Sequence, residues 1–193
     1  MTRLRWIALP LVLLAGCASS PQNNYYTLSA ESACAATSPA AHLDVLRPKT
    51  IRLPALLDRQ ELVVRTGPQT VDIREFDRWA EPLDQMATRI LTEDLERCES
   101  AASSAESNWS LSISVDEFIA DTSGHAYLSG RWWIYRNAQE MAGQPEHEFS
   151  FTEKTDGVSG TESAAAMSAL LRQLADDIVS KLSHKESPAK SNL

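Results

Sequence analysis

The spacing of the hydrophobic residues changes several times along the chain, and each change predicts a new element. Strict alternation with serine and acidic residues predicts a strand with one buried face, and it occurs at Trp109, Leu111, Ile113 and Val115. A second strand, with apolar or aromatic side chains on both faces, is predicted at 127–135. Phe149 and Phe151 mark a third strand of the same set.

Shorter apolar runs predict further strands nearer the N-terminus. Residues 25–28 are rich in strand formers and are predicted to form an edge strand, while 42–53 are predicted to form a strand broken around Pro48. The runs 61–65 and 70–74 are separated by Gly67-Pro68, a turn signal, and together predict a hairpin.

Two segments carry hydrophobic residues at helical spacing. The first has Pro82 in its first turn, ends near Cys98 and presents Leu83, Met86, Ala87, Ile90, Leu91 and Leu95. The second presents Met167, Leu170, Leu171, Leu174, Ile178, Val179 and Leu182, and residues 157–160 before it are expected to be a loop and helix cap. This order of elements predicts an α/β or α+β domain with a single mixed sheet and two main helices packed on it.

The N-terminal residues have the organisation of a lipoprotein signal. Residues 1–16 combine basic residues, a short apolar run and small residues, and Leu14-Ala15-Gly16-Cys17 has the form of a bacterial lipobox. We therefore expect lipidation at Cys17, and Ala18 in the next position favours the outer membrane on its periplasmic face. The expected organisation is a signal peptide at 1–16, a flexible tether at 17–24, one domain at 25–182 and a disordered tail at 183–193.

The net charge and the cysteine content limit the classes of function that the chain can have. The chain has 18 basic and 26 acidic residues, a net charge of −8, which argues against nucleic-acid binding. Besides Cys17 it contains only Cys34 and Cys98. In an oxidising periplasm these two are candidates for a disulfide, the alternative being two buried free thiols.

The sequence lacks the residue patterns that enzyme active sites and metal sites usually require. The four histidines are widely separated, with no His-Glu-x-x-His or Cys-x-x-Cys spacing, so the sequence predicts no metal site. Residues 157–160 fall one residue short of a nucleophile elbow, and no glycine-rich phosphate loop is present. We expect a protein without catalytic activity or cofactor.

The junction between the predicted hairpin and the first helix stands out. Residues 75–83 place Phe76 and Trp79 beside Arg78, Glu81 and Pro82. One interpretation is that the aromatic residues fill the core while Arg78 pairs with a nearby carboxylate. The other is an exposed aromatic–arginine patch, a combination enriched at interfaces.

The same residues form part of a resemblance to a known protein family. The lipobox, Tyr25-Tyr26-Thr27-Leu28, Leu53-Pro54-x-x-Leu57-Asp58-Arg59, Val64-Arg65-Thr66-Gly67 and Phe76-x-Arg78-Trp79-Ala80-Glu81-Pro82-Leu83 occur in the order found in the PqiC/YmbA family. That family comprises the ABC-type transport auxiliary lipoproteins, which the chain resembles over most of its mature length. One departure lies in Ala55-Leu56-Leu57, where the family pattern Leu-Pro-x-Tyr-Leu has an aromatic residue in place of Leu56.

The resemblance implies a fold similar to the N-terminal domain of TolB. It also implies a non-enzymatic outer-membrane component of an envelope-spanning lipid transport system, acting with a periplasm-spanning MCE-domain protein and an inner-membrane partner. We expect the surface that meets the MCE protein, or a neighbouring copy in a homo-oligomer, to include Phe76, Arg78, Trp79, Glu81, Pro82, Leu53, Pro54, Asp58 and Arg59. The alternatives are a structural or pilot lipoprotein of another envelope complex and a periplasmic hydrolase.

Overall fold

The computed structural model describes residues 21–30, 47–98, 110–135 and 147–185. Within these ranges the elements are β1 (Asn24–Tyr26), β2 (Arg47–Arg52), a 3-10 turn (Ala55–Leu57), β3 (Glu61–Gly67), β4 (Thr70–Trp79), α1 (Leu83–Cys98), β5 (Ser110–Asp121), β6 (His125–Tyr135), β7 (His147–Lys154) and α2 (Gly160–Lys185). The predicted signal peptide and the sites at Cys17 and Cys34 lie outside the described residues.

The strands form a single mixed sheet in the order β1-β4-β3-β5-β6-β7, with β2 also paired to β5. Strand β5 is the centre of this arrangement. Along one edge it pairs in parallel with β2, from Ser110 to Ser114, and then with β3 at Ala120 and Asp121. Its other edge pairs antiparallel with β6. The predicted mixed sheet with two helices is confirmed.

The predicted hairpin and broken strand are both present, with one difference in length. Strands β3 and β4 pair antiparallel, and β2 has a shift of register between Pro48 and Ile51, where proline cannot donate a backbone hydrogen bond. Strand β4 continues to Trp79, five residues beyond the predicted end, because β1 pairs in parallel with its last residues, 77–79.

Both helices bury the predicted stripes. In α1 the side chains of Met86, Ala87 and Leu91 are fully buried. Helix α2 begins at a capping box: the Glu162 N–H donates to Ser159 Oγ, and the Ser159 N–H donates to Glu162 Oε2. It continues to Lys185, three residues past residue 182, the expected end of the domain.

The sheet has one face against the helices and one face opposite. Trp132 is fully buried on the helix side, where its indole N–H donates to Asp177 of α2 at 3.3 Å. The neighbouring residues Tyr127, Trp133 and Tyr135 alternate onto the opposite face and are half-buried. They therefore lie outside the central core that the helices close.

Candidate functional site

Two of the segments singled out in the sequence come together in space. Leu53, Asp58, Arg59 and Pro82 all line a single cavity of about 790 Å³. The segments 53–60 and 76–82 are joined beside it by a backbone hydrogen bond of 2.7 Å, in which the Trp79 N–H donates to the Gln60 carbonyl. The linker after β2 and the end of β4 therefore form one continuous region of surface.

Trp79 belongs to the core and not to that surface. Its side chain is only 2% exposed and is part of the main hydrophobic cluster. Strand β1 pairs alongside it, and the Ala80 N–H donates to the Tyr26 carbonyl at 2.8 Å. The buried side chain favours the first interpretation of Trp79, as a core residue, over its assignment to the interface, because it has almost no free surface to offer a partner.

The other residues of the second segment remain accessible. Phe76 is 40% exposed, an unusual degree for a phenylalanine in a strand. Arg78 lies 3.3 Å from Glu61 on the neighbouring strand, and its Nε donates to the Glu75 carbonyl. Glu81 pairs with Arg89 of α1 at 2.9 Å. These ion pairs are partly solvent-exposed and fix side-chain positions more than they stabilise the fold.

The cavity combines an apolar lining with charged residues. The buried residues that line it are Ile51, Leu57, Leu83 and Ile113, contributed by β2, the 3-10 turn, α1 and β5. Trp133 and Tyr135 add aromatic surface. The charged lining residues, exposed or half-buried, are Lys49, Arg52, Arg59, Asp58 and Asp84. Such a lining suits a ligand or side chain with an apolar body and a polar end.

Four residues that line the cavity were not predicted as site residues: Arg52, Lys49, Trp133 and Tyr135. Nothing in the sequence around Arg52 distinguishes it from other strand residues. Its position at the cavity follows only from the pairing of β2 with β5, which sets it opposite Ser114. The aromatic residues of β6 were expected to pack in the core or in a second layer. No local pattern indicates that β2 and β6 contribute to the same cavity, because β2 is far in sequence from β5, the strand that lies between them.

A polar cluster caps the turn between β5 and β6. The Asp121 carboxylate accepts hydrogen bonds from the N–H groups of Ser123 and His125, from Ser123 Oγ at 2.8 Å and from the Tyr127 hydroxyl at 3.0 Å. Burial alone would raise the pKa of Asp121, but these hydrogen bonds outweigh it and lower the pKa. The hydrogen bond to Asp121 and burial raise the pKa of Tyr127.

The same cluster tests the hydrolase alternative. Ser123 Oγ lies 3.2 Å from His125 Nδ1, so a serine, a histidine and an aspartate do meet. In a catalytic triad the carboxylate orients the histidine, which in turn takes the serine proton. Here Asp121 instead accepts directly from the serine hydroxyl and from two backbone N–H groups, so its role is to stabilise the turn. This geometry gives the hydrolase alternative no support.

The remaining candidate chemistry concerns cysteines and metals. Cys98, the last residue of α1, is disulfide-bonded. Its predicted partner Cys34 lies outside the described residues, so that pairing stays a prediction. Among the described residues no group of three or more His, Cys, Asp or Glu side chains is arranged to hold a metal ion. Within the same ranges, no helix has the length and apolar character needed to cross a bilayer.

Comparison with known proteins gives the family. The model of the ABC-type transport auxiliary lipoprotein component family matches residues 26–179, from β1 into α2. The chain belongs to this family. The resemblance drawn from the 53–59 and 76–83 motifs is thereby confirmed, and the family is one of transport auxiliary lipoproteins, which are not usually enzymes.

Solved structures show the same fold. Protein XCC0632 from Xanthomonas campestris, of family DUF330, is 18% identical, with a TM-score of 0.69 over 84% of this chain and 98% of that one. A second solved structure, described only as an uncharacterized protein, is also 18% identical, with a TM-score of 0.59 over 86% of this chain and all of that chain. No curated protein matches the chain.

Proposed function

We propose that the chain is an outer-membrane lipoprotein that serves as a docking subunit of an envelope-spanning MCE-type lipid transport system. The observation that carries the proposal is the family match over residues 26–179. The proposed partners are the periplasm-spanning MCE-domain protein and, through it, the inner-membrane component. The role requires recognition and not turnover.

The proposed anchor is Cys17. The lipobox at 14–17 supports it, since the acyl chains attached to such a cysteine hold a protein at the membrane. Ala18, in place of an aspartate, supports the outer membrane as its location. The net charge of −8 disfavours adsorption to anionic headgroups, so attachment is expected to depend on the acyl chains.

The proposed docking surface consists of the accessible residues of the segments 53–59 and 76–82: Leu53, Pro54, Leu56, Asp58, Arg59, Phe76, Arg78, Glu81 and Pro82. It offers two exposed apolar side chains, since Leu56 and Phe76 are each 40% exposed. Apolar anchors and arginines within a polar rim are typical of protein interfaces.

Affinity purification from solubilised envelopes tests the proposal. The tagged chain is expected to retain the MCE-domain protein, and Phe76→Ala is expected to reduce that recovery at least tenfold. Val158→Ala is the matched control, because Val158 is also exposed, at 42%, but precedes α2 away from the cavity. Recovery of a secretin in place of the MCE protein would instead support the pilot-lipoprotein alternative. Cys17→Ala is expected to release the protein from the outer-membrane fraction.

A further inference from the structure

We propose that the tip of the β3–β4 hairpin rests on the membrane to which the chain is anchored, with Val71 and Ile73 in contact with phospholipid. The hairpin tip is defined here as residues 66–73, from the end of β3 into β4. The inference deepens the proposed function, because it orients the docking surface, and it rests on the proposed anchor at Cys17.

Val71 and Ile73 are exposed apolar residues outside the docking surface. They are 40% and 42% exposed, as much as the two apolar anchors of that surface. They lie two residues apart in a regularly paired stretch of β4, so their side chains leave the same face of the strand. Asp72 between them alternates to the other face, where its carboxylate lies 3.8 Å from Arg74. The two aliphatic side chains therefore form one small apolar patch.

The hairpin tip carries little charge although the chain as a whole is acidic. Asp72 is its single charged residue, and it lies on the face away from the apolar patch. Arg65, which pairs with Val71 across the hairpin, forms an ion pair with Glu117. The patch therefore presents no excess of carboxylates to anionic headgroups, unlike a chain with a net charge of −8 taken as a whole.

The direction of β1 brings the tether from the side of the hairpin tip. Strand β1 runs parallel to β4, with Asn24 beside Asp77, so the chain before Asn24 enters from the direction in which β4 begins. Seven residues lead from Cys17 to Asn24 (24 − 17), and seven lead from Thr70 to Asp77 (77 − 70). Because an extended chain covers at most about 3.6 Å per residue, both spans reach about 25 Å or less. An acylated Cys17 can therefore reach the level of the tip.

The docking surface lies towards the other end of β4. This strand ends at Trp79, whose N–H bonds to the Gln60 carbonyl between the segments 53–59 and 76–82. At a rise of about 3.4 Å per residue, the five steps from Val71 to Phe76 (76 − 71) cover up to about 17 Å. With the tip on the bilayer, the docking surface is held away from the lipid and faces the periplasm, where a spanning partner would approach.

The acyl chains and the apolar patch have different tasks in this arrangement. The strength of membrane binding scales with the apolar area that is buried, and two aliphatic side chains bury too little to hold a protein on a bilayer. The acyl chains therefore provide attachment. The contact of Val71 and Ile73 with the boundary between headgroups and acyl chains fixes the orientation of the domain.

Fluorescence quenching of the lipidated protein in vesicles tests the contact. The protein, purified with its acyl chains, is reconstituted in vesicles of phosphatidylethanolamine and phosphatidylglycerol. Dansylalanine is introduced at position 71, 73, 56 or 76, one position at a time; all four native side chains are 40–42% exposed. A nitroxide on the lipid acyl chain quenches a fluorophore only at close range. Emission is expected to fall at least about twofold at positions 71 and 73 and to change little at 56 and 76.

Substitutions at the patch show whether the contact depends on its apolar side chains. With dansylalanine at position 73, Val71→Asp is expected to abolish the quenching, because it places a carboxylate at the headgroups. Phe76→Asp is the matched control, since it adds the same charge to β4 at an equally exposed position outside the tip, and it is expected to leave the quenching unchanged. Val71→Ser removes apolar surface without adding charge and is expected to reduce the quenching in part.

The outcomes separate this inference from the docking proposal. Quenching at positions 56 and 76 in place of the tip, no quenching at any position, or quenching that Val71→Asp leaves unchanged would overturn the inference. Flotation with the vesicles reports the anchor separately: a protein that fails to float refutes the proposed anchor, and the inference falls with it. A protein that floats without any quenching refutes only the contact. Because the vesicles contain no partner, loss of partner recovery leaves the quenching unaffected.

Discussion

The backbone N–H of Trp79 donates a 2.7 Å hydrogen bond to the carbonyl oxygen of Gln60. This contact joins the end of β4 to the start of β3 and so fixes the two family motifs beside each other. Because the Trp79 side chain is buried while its strand neighbours are accessible, the same segment serves both the core and the surface.

Trp79 and Phe76 are therefore expected to respond differently to truncation. Trp79→Ala removes a buried indole and is expected to lower the free energy of unfolding by about 3–5 kcal/mol. Phe76→Ala, at a side chain 40% exposed, is expected to cost less than about 1 kcal/mol. Urea denaturation of the two variants measures the difference, and similar losses for both would show that Phe76 is also part of the core.

The Asp121 cluster predicts a pH dependence of stability. Because hydrogen bonds hold the folded pKa of Asp121 below its ordinary value of 3.8, its carboxylate stabilises the fold above about pH 4, and this contribution is lost as the pH falls through the folded pKa. Asp121→Asn is therefore expected to be less stable than the wild type at pH 7, by an amount that shrinks towards pH 2.5.

Urea midpoints of Asp121→Asn and the wild type across this pH range measure the effect. Tyr127→Phe is a second variant, since it removes one of the hydrogen bonds that the carboxylate accepts. It is expected to reduce the acid sensitivity of stability only in part. A difference in urea midpoint between Asp121→Asn and the wild type that stays constant from pH 7 to pH 2.5 would show that the Asp121 carboxylate is not the source of the pH dependence.

Gly130 marks a point where β5 and β6 approach too closely for a side chain. A Cβ atom there would overlap the Ser114 carbonyl oxygen and lie 2.9 Å from the Val115 Cα, next to the register shift in β5. Gly130→Ala is therefore expected to cost about 1–3 kcal/mol through overpacking. Ser129→Ala, one residue earlier and on the opposite face, serves as the control and is expected to be near neutral.

The predicted Cys34–Cys98 bridge would close a long loop between the N-terminal segment and the end of α1. Cys34→Ser is expected to leave a free thiol at Cys98 and to lower stability by about 4 kcal/mol, because the bridge restricts the unfolded chain. Alkylation of unreduced protein followed by mass spectrometry measures the thiols. Two alkylated cysteines at positions 34 and 98 in the wild-type protein would reject the bridge.

Local sequence patterns were sufficient for the fold class, and the reason is physical. The alternating residues from Leu111 to Val115 and the helical stripe from Met167 to Val179 each bury one face, so their periods report the core directly. The extension of β4 to Trp79 was missed because it depends on pairing with β1, about fifty residues earlier in the chain.

The candidate site was predictable only in part for the same reason. The two motifs identified Leu53, Asp58, Arg59 and Pro82, which the fold brings to one cavity. Arg52 could not be recognised, because its position at the cavity depends on the pairing of β2 with β5, and that pairing is a property of the tertiary structure. Whether Trp79 points inward was equally undecidable, since the bulged region of β4 alters the simple alternation of its faces.

Site-specific photo-crosslinking in intact cells tests the docking role most directly. A benzophenone amino acid is placed at position 56 or 76, on the docking surface, and at position 158 as the control; each replaces a side chain at least 40% exposed. The account predicts crosslinks to the MCE-domain protein from positions 56 and 76 and none from position 158. Crosslinks to that protein from position 158 alone, or none from any position while the MCE protein is present, would contradict it.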